Sequence, residues 1–142
     1  KHSDPTGVGF ILKTSTGDIS YMSDTELDDD VVKAHEGARI LILALTRPLG
    51  SRVPNHICTE DAAEITKRIR PEMTILTHFG AKLIHNGAGK QAKYIEDESG
   101  VRTLAAEDLM TVTIGRTIRV VRSEQAGNIG SSSLESTFGG SG

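Results

Sequence analysis

Residues 39–45, Arg-Ile-Leu-Ile-Leu-Ala-Leu, form a nearly unbroken apolar run that lacks the alternation of a strand with one wet face. A run of this length is long enough for a strand and short for a helix, so it predicts a strand buried on both faces, as in a sheet with parallel pairing. Everything around it must supply the cover. Met73-Thr-Ile-Leu-Thr77 repeats the pattern, and the stretch between the two runs reads as a helix. Thr59 stands in the N-cap position with Glu60 and Asp61 in the first turn. Ala62, Ile65 and Ile69 fall on one helical face, and Pro71 closes the segment.

The same strand-and-helix alternation extends in both directions. Val8–Thr14 and Asp18–Met22 are short apolar runs separated by a turn-like Ser-Thr-Gly, the spacing of an antiparallel hairpin. A weaker helical pattern runs from Thr25 to about His35, with Gly37 placed to stop it. Ala88, Ala92 and Ile95 share a further helical face that ends at Gly100. Val101–Ala105, Leu109–Ile114 and Thr117–Val121 read as three closing strands. This is an α/β chain with a mixed sheet. Residues 1–122 read as the folded part and 123–142, rich in Gly and Ser, as a flexible tail or linker.

Composition narrows the function classes. With two Tyr, three Phe and no Trp in 142 residues, the core must be aliphatic. The net charge of −3 provides no broad basic field for nonspecific nucleic-acid binding. The single cysteine, Cys58, rules out a disulfide framework or a cysteine-based zinc site within one chain. No apolar run approaches a bilayer span, so no membrane role is expected and the cytoplasm is the expected compartment. The chain opens on Lys1 directly into structured-looking text, which leads us to expect an upstream portion.

Polar residues at strand ends are the first place to look for chemistry, because ligands in open α/β sheets bind beyond the carboxyl ends of the strands. Asp24 ends one strand and His78 another. A carboxylate and an imidazole there can converge on one cation, but on the residues alone Asp24 reads more readily as a helix cap and His78 as a hydrogen-bonded strand-end histidine. His2, before Pro5, and His56, in a loop holding Pro48, Gly50 and Pro54, stand open between site and surface. His35 and His85 read as surface residues at a helix end and in a loop. Asn86-Gly-Ala-Gly-Lys90 lacks the full spacing of a phosphate loop. Arg116, Arg119 and Arg122 read as outward charges on a terminal strand more readily than as phosphate contacts.

Taken in order, Lys-His-Ser-Asp-Pro-Thr-Gly-Val-Gly-Phe (1–10), Ser-Asp-Thr-Glu (23–26), Asn-His-Ile-Cys-Thr-Glu-Asp-Ala-Ala-Glu-Ile (55–65) and Leu-Thr-His-Phe-Gly-Ala-Lys-Leu (76–83) resemble the carboxyl-terminal half of the metallo-β-lactamase-fold hydrolases, especially their archaeal and ribonuclease Z-like branch. The resemblance covers residues 1–114. It implies half of an αββα sandwich with helices on one face. It implies that His2 ligates one metal, that Asp24 bridges two, that His78 ligates the second, and that His56 handles a proton for the leaving group. The cofactor would be zinc, two ions in a complete site, and the substrate a phosphodiester or related ester. The family's His-x-His-x-Asp-His signature, which supplies most of the ligands, is absent from this chain. Two readings follow: a hydrolase segment that needs the missing amino-terminal half for turnover, or a non-catalytic half-domain that pairs sheet to sheet with that half or with a second copy.

Overall fold

The computed structural model describes residues 7–85, 87–123 and the backbone of 135–139. It divides into two units, Lys1–Ala105 and Ala106–Gly142. The first unit contains a five-stranded sheet in the order β1-β2-β3-β4-β5, with β1 at Phe10–Leu12, β2 at Ile19–Met22, β3 at Ile40–Ala44, β4 at Met73–Thr77 and β5 at Arg102–Ala105. β1 runs antiparallel to β2, and the remaining neighbours are parallel. The double-sided run at 39–45 therefore lies at the centre, as its composition requires.

Each parallel step is crossed by a helix. α1 (Asp29–Ala34) links β2 to β3, α2 (Thr59–Ile69) links β3 to β4, and α3 (Ala81–Ile84) with α4 (Ala88–Ser99) links β4 to β5. Right-handed crossovers that all advance in the same direction place their helices on the same face of the sheet. The core shows this one-sidedness. Met22, Leu41, Leu43 and Leu76 pack with Val32 of α1, Ala62 and Ile65 of α2, and Ala92 and Ile95 of α4. By strand alternation, Phe10, Leu12, Ile19, Tyr21, Ile40, Ile42, Met73, Ile75 and Leu104 occupy the other face.

Most element ends follow the local signals. Arg70 adopts the left-handed conformation just ahead of Pro71, and Gly100 does so after α4. Two helix starts differ from expectation. The first helix begins at Asp29, not Thr25, because the Asp28 carboxylate caps it by accepting from the N–H groups of Asp30 and Val31 at 3.0 and 3.3 Å. α2 is capped from Cys58, one residue before Thr59, and the Asp61 carboxylate accepts from the Cys58 N–H at 3.3 Å and from its thiol at 3.0 Å. Burial and the neighbouring Asp61 carboxylate push that thiol up to about 12, so Cys58 carries no thiolate at neutral pH.

The second unit is a three-stranded antiparallel sheet, β6 (Thr111–Ile114), β7 (Thr117–Val121) and β8 (Glu135–Gly139), in that order. β8 falls inside the stretch that composition assigns to a flexible tail. A ladder is made by backbone groups, so a polar, Gly-rich strand can join it without the apolar alternation that announces one. The rest of that stretch, 124–134 and 140–142, lies outside the described residues. Among the described residues no helix is long and apolar enough to cross a membrane.

His35, expected at the surface, is instead 7% exposed. Its Nδ1 meets the hydroxyl of Ser20 on β2, which is itself fully buried. Burial holds the imidazole below its ordinary value. A histidine depressed in this way is protonated first in the unfolded chain. Stability is therefore complete above the unfolded value of about 6.5 and declines as pH falls through it toward the folded value. Urea unfolding at pH 7.5 and pH 5 is expected to show this loss, with a smaller loss in His35→Gln; an equal loss in both proteins would place its origin elsewhere.

Candidate functional site

The parallel strands β2, β3 and β4 end side by side, and the chain leaving each one bears a polar side chain toward the same place. Asp24 stands two residues beyond β2. His56 lies on the long connection after β3, and His78 directly follows β4. The two imidazoles meet one carboxylate oxygen: His56 Nε2 and His78 Nε2 each lie 3.5 Å from Asp24 Oδ2. Asp24 is mostly buried, with its side chain 17% exposed, while His78 is 58% exposed and opens to solvent. Asp24 is not the cap of α1, since Asp28 takes that role.

The connection from 46 to 58 is a braced loop. Its two ends join as a parallel bridge between Arg47 and Cys58, with the Arg47 N–H donating to the Ile57 carbonyl at 3.2 Å. The first turns of α2 and α4 hold its middle. Glu60 accepts from the Gly50 N–H at 2.8 Å, Asp61 pairs with Arg52 at 2.7 Å, and the Gln91 side chain accepts from both the Leu49 N–H and the Thr59 hydroxyl. For Glu60, burial opposes the charge, but donation from its own N–H and that of Gly50 outweighs burial and holds its carboxyl below the usual value. None of these braces was apparent from the sequence. Gln91 lies in an ordinary helix, and no local pattern marks a side chain that reaches a loop far away in the chain.

His56 Nδ1 lies 2.9 Å from the carbonyl oxygen of Pro54. A carbonyl can only accept, so Nδ1 carries the hydrogen and, in the neutral ring, Nε2 presents its lone pair. That lone pair then faces a carboxylate oxygen. At 3.5 Å the two atoms stand beyond direct hydrogen-bond distance, and a proton or a cation between them would relieve the repulsion of their lone pairs. A charge-assisted N–H···O contact settles at about 2.7–2.9 Å. Two donors on one tetrahedral ion with bonds of ~2.1 Å stand about 3.4 Å apart, close to the 3.5 Å between His78 Nε2 and Asp24 Oδ2.

The donor chemistry of the Asp24 carboxylate and the His78 imidazole suits a borderline cation such as zinc, but the set is incomplete. Among the described residues, no group of three or more His, Cys, Asp or Glu side chains is arranged to hold a metal ion. His2, the remaining ligand expected from the sequence, lies outside the described residues. His85 is the exposed C-cap of α3, and Cys58 is the buried N-cap of α2, a protonated thiol.

No protein-family model matches the chain. An uncharacterized protein of Methanocaldococcus jannaschii, MJ1374, is 36% identical over 108 residues, which is 75% of this chain and 40% of that protein. Among solved structures, the metallo-β-lactamase fold protein YhfI from Bacillus subtilis matches 70% of this chain and 41% of its own, with a TM-score of 0.61 and 17% identity. A diphosphatase from the PhnP family matches 63% of this chain and 32% of its own, with a TM-score of 0.49 and 21% identity, a likeness too partial to argue from. The chain spans about two fifths of the relative and of the first of these structures. At such identity a structural match speaks for fold alone, and on that ground the five-stranded mixed sheet with its one-sided helices is half of a metallo-β-lactamase fold.

Proposed function

We propose that the chain is the carboxyl-terminal segment of a metal-dependent phosphodiesterase of the archaeal, ribonuclease Z-like branch, and that it supplies part of a dinuclear zinc site. The observation that carries this reading is the convergence of His56 and His78 on Asp24 Oδ2. In this assignment Asp24 and His78 are metal ligands, joined by His2, and the remaining donors come from an amino-terminal half. Bound zinc would activate a water and offset charge on the phosphoryl oxygens. The chain's own part is geometric. Asp24 and His78 present Oδ2 and Nε2 from the ends of β2 and β4, which flank β3. Pro54 fixes the ring of His56, which leaves Nε2 as the atom that holds a proton for the departing oxygen. Substrate choice in such folds resides in loops and added segments, so the class is a phosphodiester or related ester.

Two measurements test this reading. In a Zn²⁺ titration by calorimetry, Asp24→Ala is expected to weaken binding about 10-fold or more, since removing even an outer partner of a metal ligand costs that much. Equal affinity in both proteins would remove Asp24 from the metal site. Hydrolysis of bis(p-nitrophenyl) phosphate with zinc is expected to be absent for this chain alone and to appear when it is joined to the amino-terminal portion of a full-length relative. Silence in the joined protein would end the hydrolase assignment.

A second reading, an assembly module without catalysis, draws on the sheet face opposite the helices. Phe10 and Leu12 are 56% and 54% exposed there, and Phe10 lies against Tyr21 with ring centroids 5.3 Å apart. An apolar row of this kind is seldom left wet. In this reading the face pairs with the amino-terminal half or with a second copy. Sedimentation at micromolar concentration is expected to show a dimer of the isolated chain, and a monodisperse monomer would refute self-pairing.

A further inference from the structure

We infer that Thr46 and Gly80 are positioning residues that together set the spacing of the two imidazoles around Asp24, without touching metal or substrate themselves. The inference deepens the proposed metal site and rests on it for its functional meaning. Its structural basis is the place where three segments leave the sheet edge. The β3/β4 ladder continues one residue past β3, with the Leu45 N–H donating to the Thr77 carbonyl at 2.8 Å, so Thr46 departs alongside His78.

From Thr46, one contact leads to each histidine. Its hydroxyl donates to the Ile57 carbonyl at 3.4 Å, and the N–H of the next residue, Arg47, reaches the same carbonyl at 3.2 Å. Ile57 is fully buried and directly follows His56, so this pair of bonds ties the His56 end of the loop to the end of β3. On the other side, the Thr46 carbonyl lies against Gly80. A Cβ placed on Gly80 would stand 2.1 Å from the Thr46 oxygen and 3.2 Å from its carbonyl carbon. Both atoms belong to backbone, so no side chain can rotate to relieve the contact.

The backbone angles show why a glycine is needed here. Gly80 has φ −64° and ψ 159°, which any residue adopts, so glycine is required for space and not for conformation. The left-handed turn falls two residues earlier, on His78 itself, at φ 56°. That turn brings the chain back toward β3 and is held there by the Gly80–Thr46 contact. A non-glycine residue keeps this strained conformation only where its surroundings enforce it. His78 is thus aimed by a strained turn, His56 by a braced loop, and Thr46 is common to both.

The test uses the full 142-residue chain and the variants Gly80→Ala and Thr46→Val, with folding followed by circular dichroism. Gly80→Ala is expected to weaken Zn²⁺ binding about 10-fold or more. In a His78→Ala background the same substitution is expected to add about twofold or less, because its effect acts through the residue already removed. Unchanged affinity, or an equal loss in both backgrounds, would overturn the proposal. If the parent chain binds no zinc, the metal assignment fails, and positioning is read instead from imidazole ¹H–¹⁵N correlations of the metal-free protein. Gly80→Ala must then move the His56 and His78 signals and leave His35 in place, and unmoved His56 and His78 would overturn the proposal. If Gly80→Ala does not fold, Thr46→Val carries the test, with an expected loss of about 3-fold in affinity or a moved His56 signal. No change in either would likewise overturn it.

Discussion

Leu41 and Leu43 bury their side chains beneath the helices while Ile40 and Ala44 are buried on the opposite side, and the backbone of β3 completes parallel ladders to β2 and β4. A strand placed this way has no freedom of register, because a slip of one residue would exchange two differently filled faces. The ends of β2, β3 and β4 are therefore set against one another by the sheet itself. The candidate site lies along that edge.

The edge holds a carboxylate between two imidazoles, and the support for this arrangement comes mostly from backbone. Pro54 orients one ring through its carbonyl, and the left-handed His78 aims the other. The acidic start of α2 anchors the loop that carries His56. Glu60 and Asp61, which look like ordinary first-turn charges, use their carboxylates on Gly50, Arg52 and Cys58. A charge that favours a helix start also serves as a clamp on the loop in front of it.

Much of the fold was legible in the residues. The strands at 73–77 and 117–121 have the expected limits and the helix at 59–69 differs only in starting one residue earlier, because apolar periodicity and Pro71 are local signals that tertiary packing had no reason to override. The half-sandwich architecture, argued from four ordered motifs, agrees with the observed sheet and its one-sided helices. Less legible were the short helix at 81–84, which offers less than two turns of pattern, and the strand at 135–139, which has no apolar alternation. His35 was misplaced at the surface for a similar reason: its partner, Ser20, is on a strand, and nothing local shows that the helix end turns inward onto it.

By itself the sequence determined the class of the fold, the order of its longer elements and which polar residues stand at strand ends, since each of these depends on neighbours a few positions apart. It also placed Asp24, His56 and His78 on the list of candidates. Only the tertiary structure decided that the two imidazoles share one oxygen of that carboxylate, that Asp28 and not Asp24 caps the first helix, and that Thr46 and Gly80 touch. These contacts join residues up to dozens of positions apart, and they exist because parallel pairing brings the ends of separate strands together. Periodicity reports which face a residue takes, but it carries no information about which neighbour it will meet there.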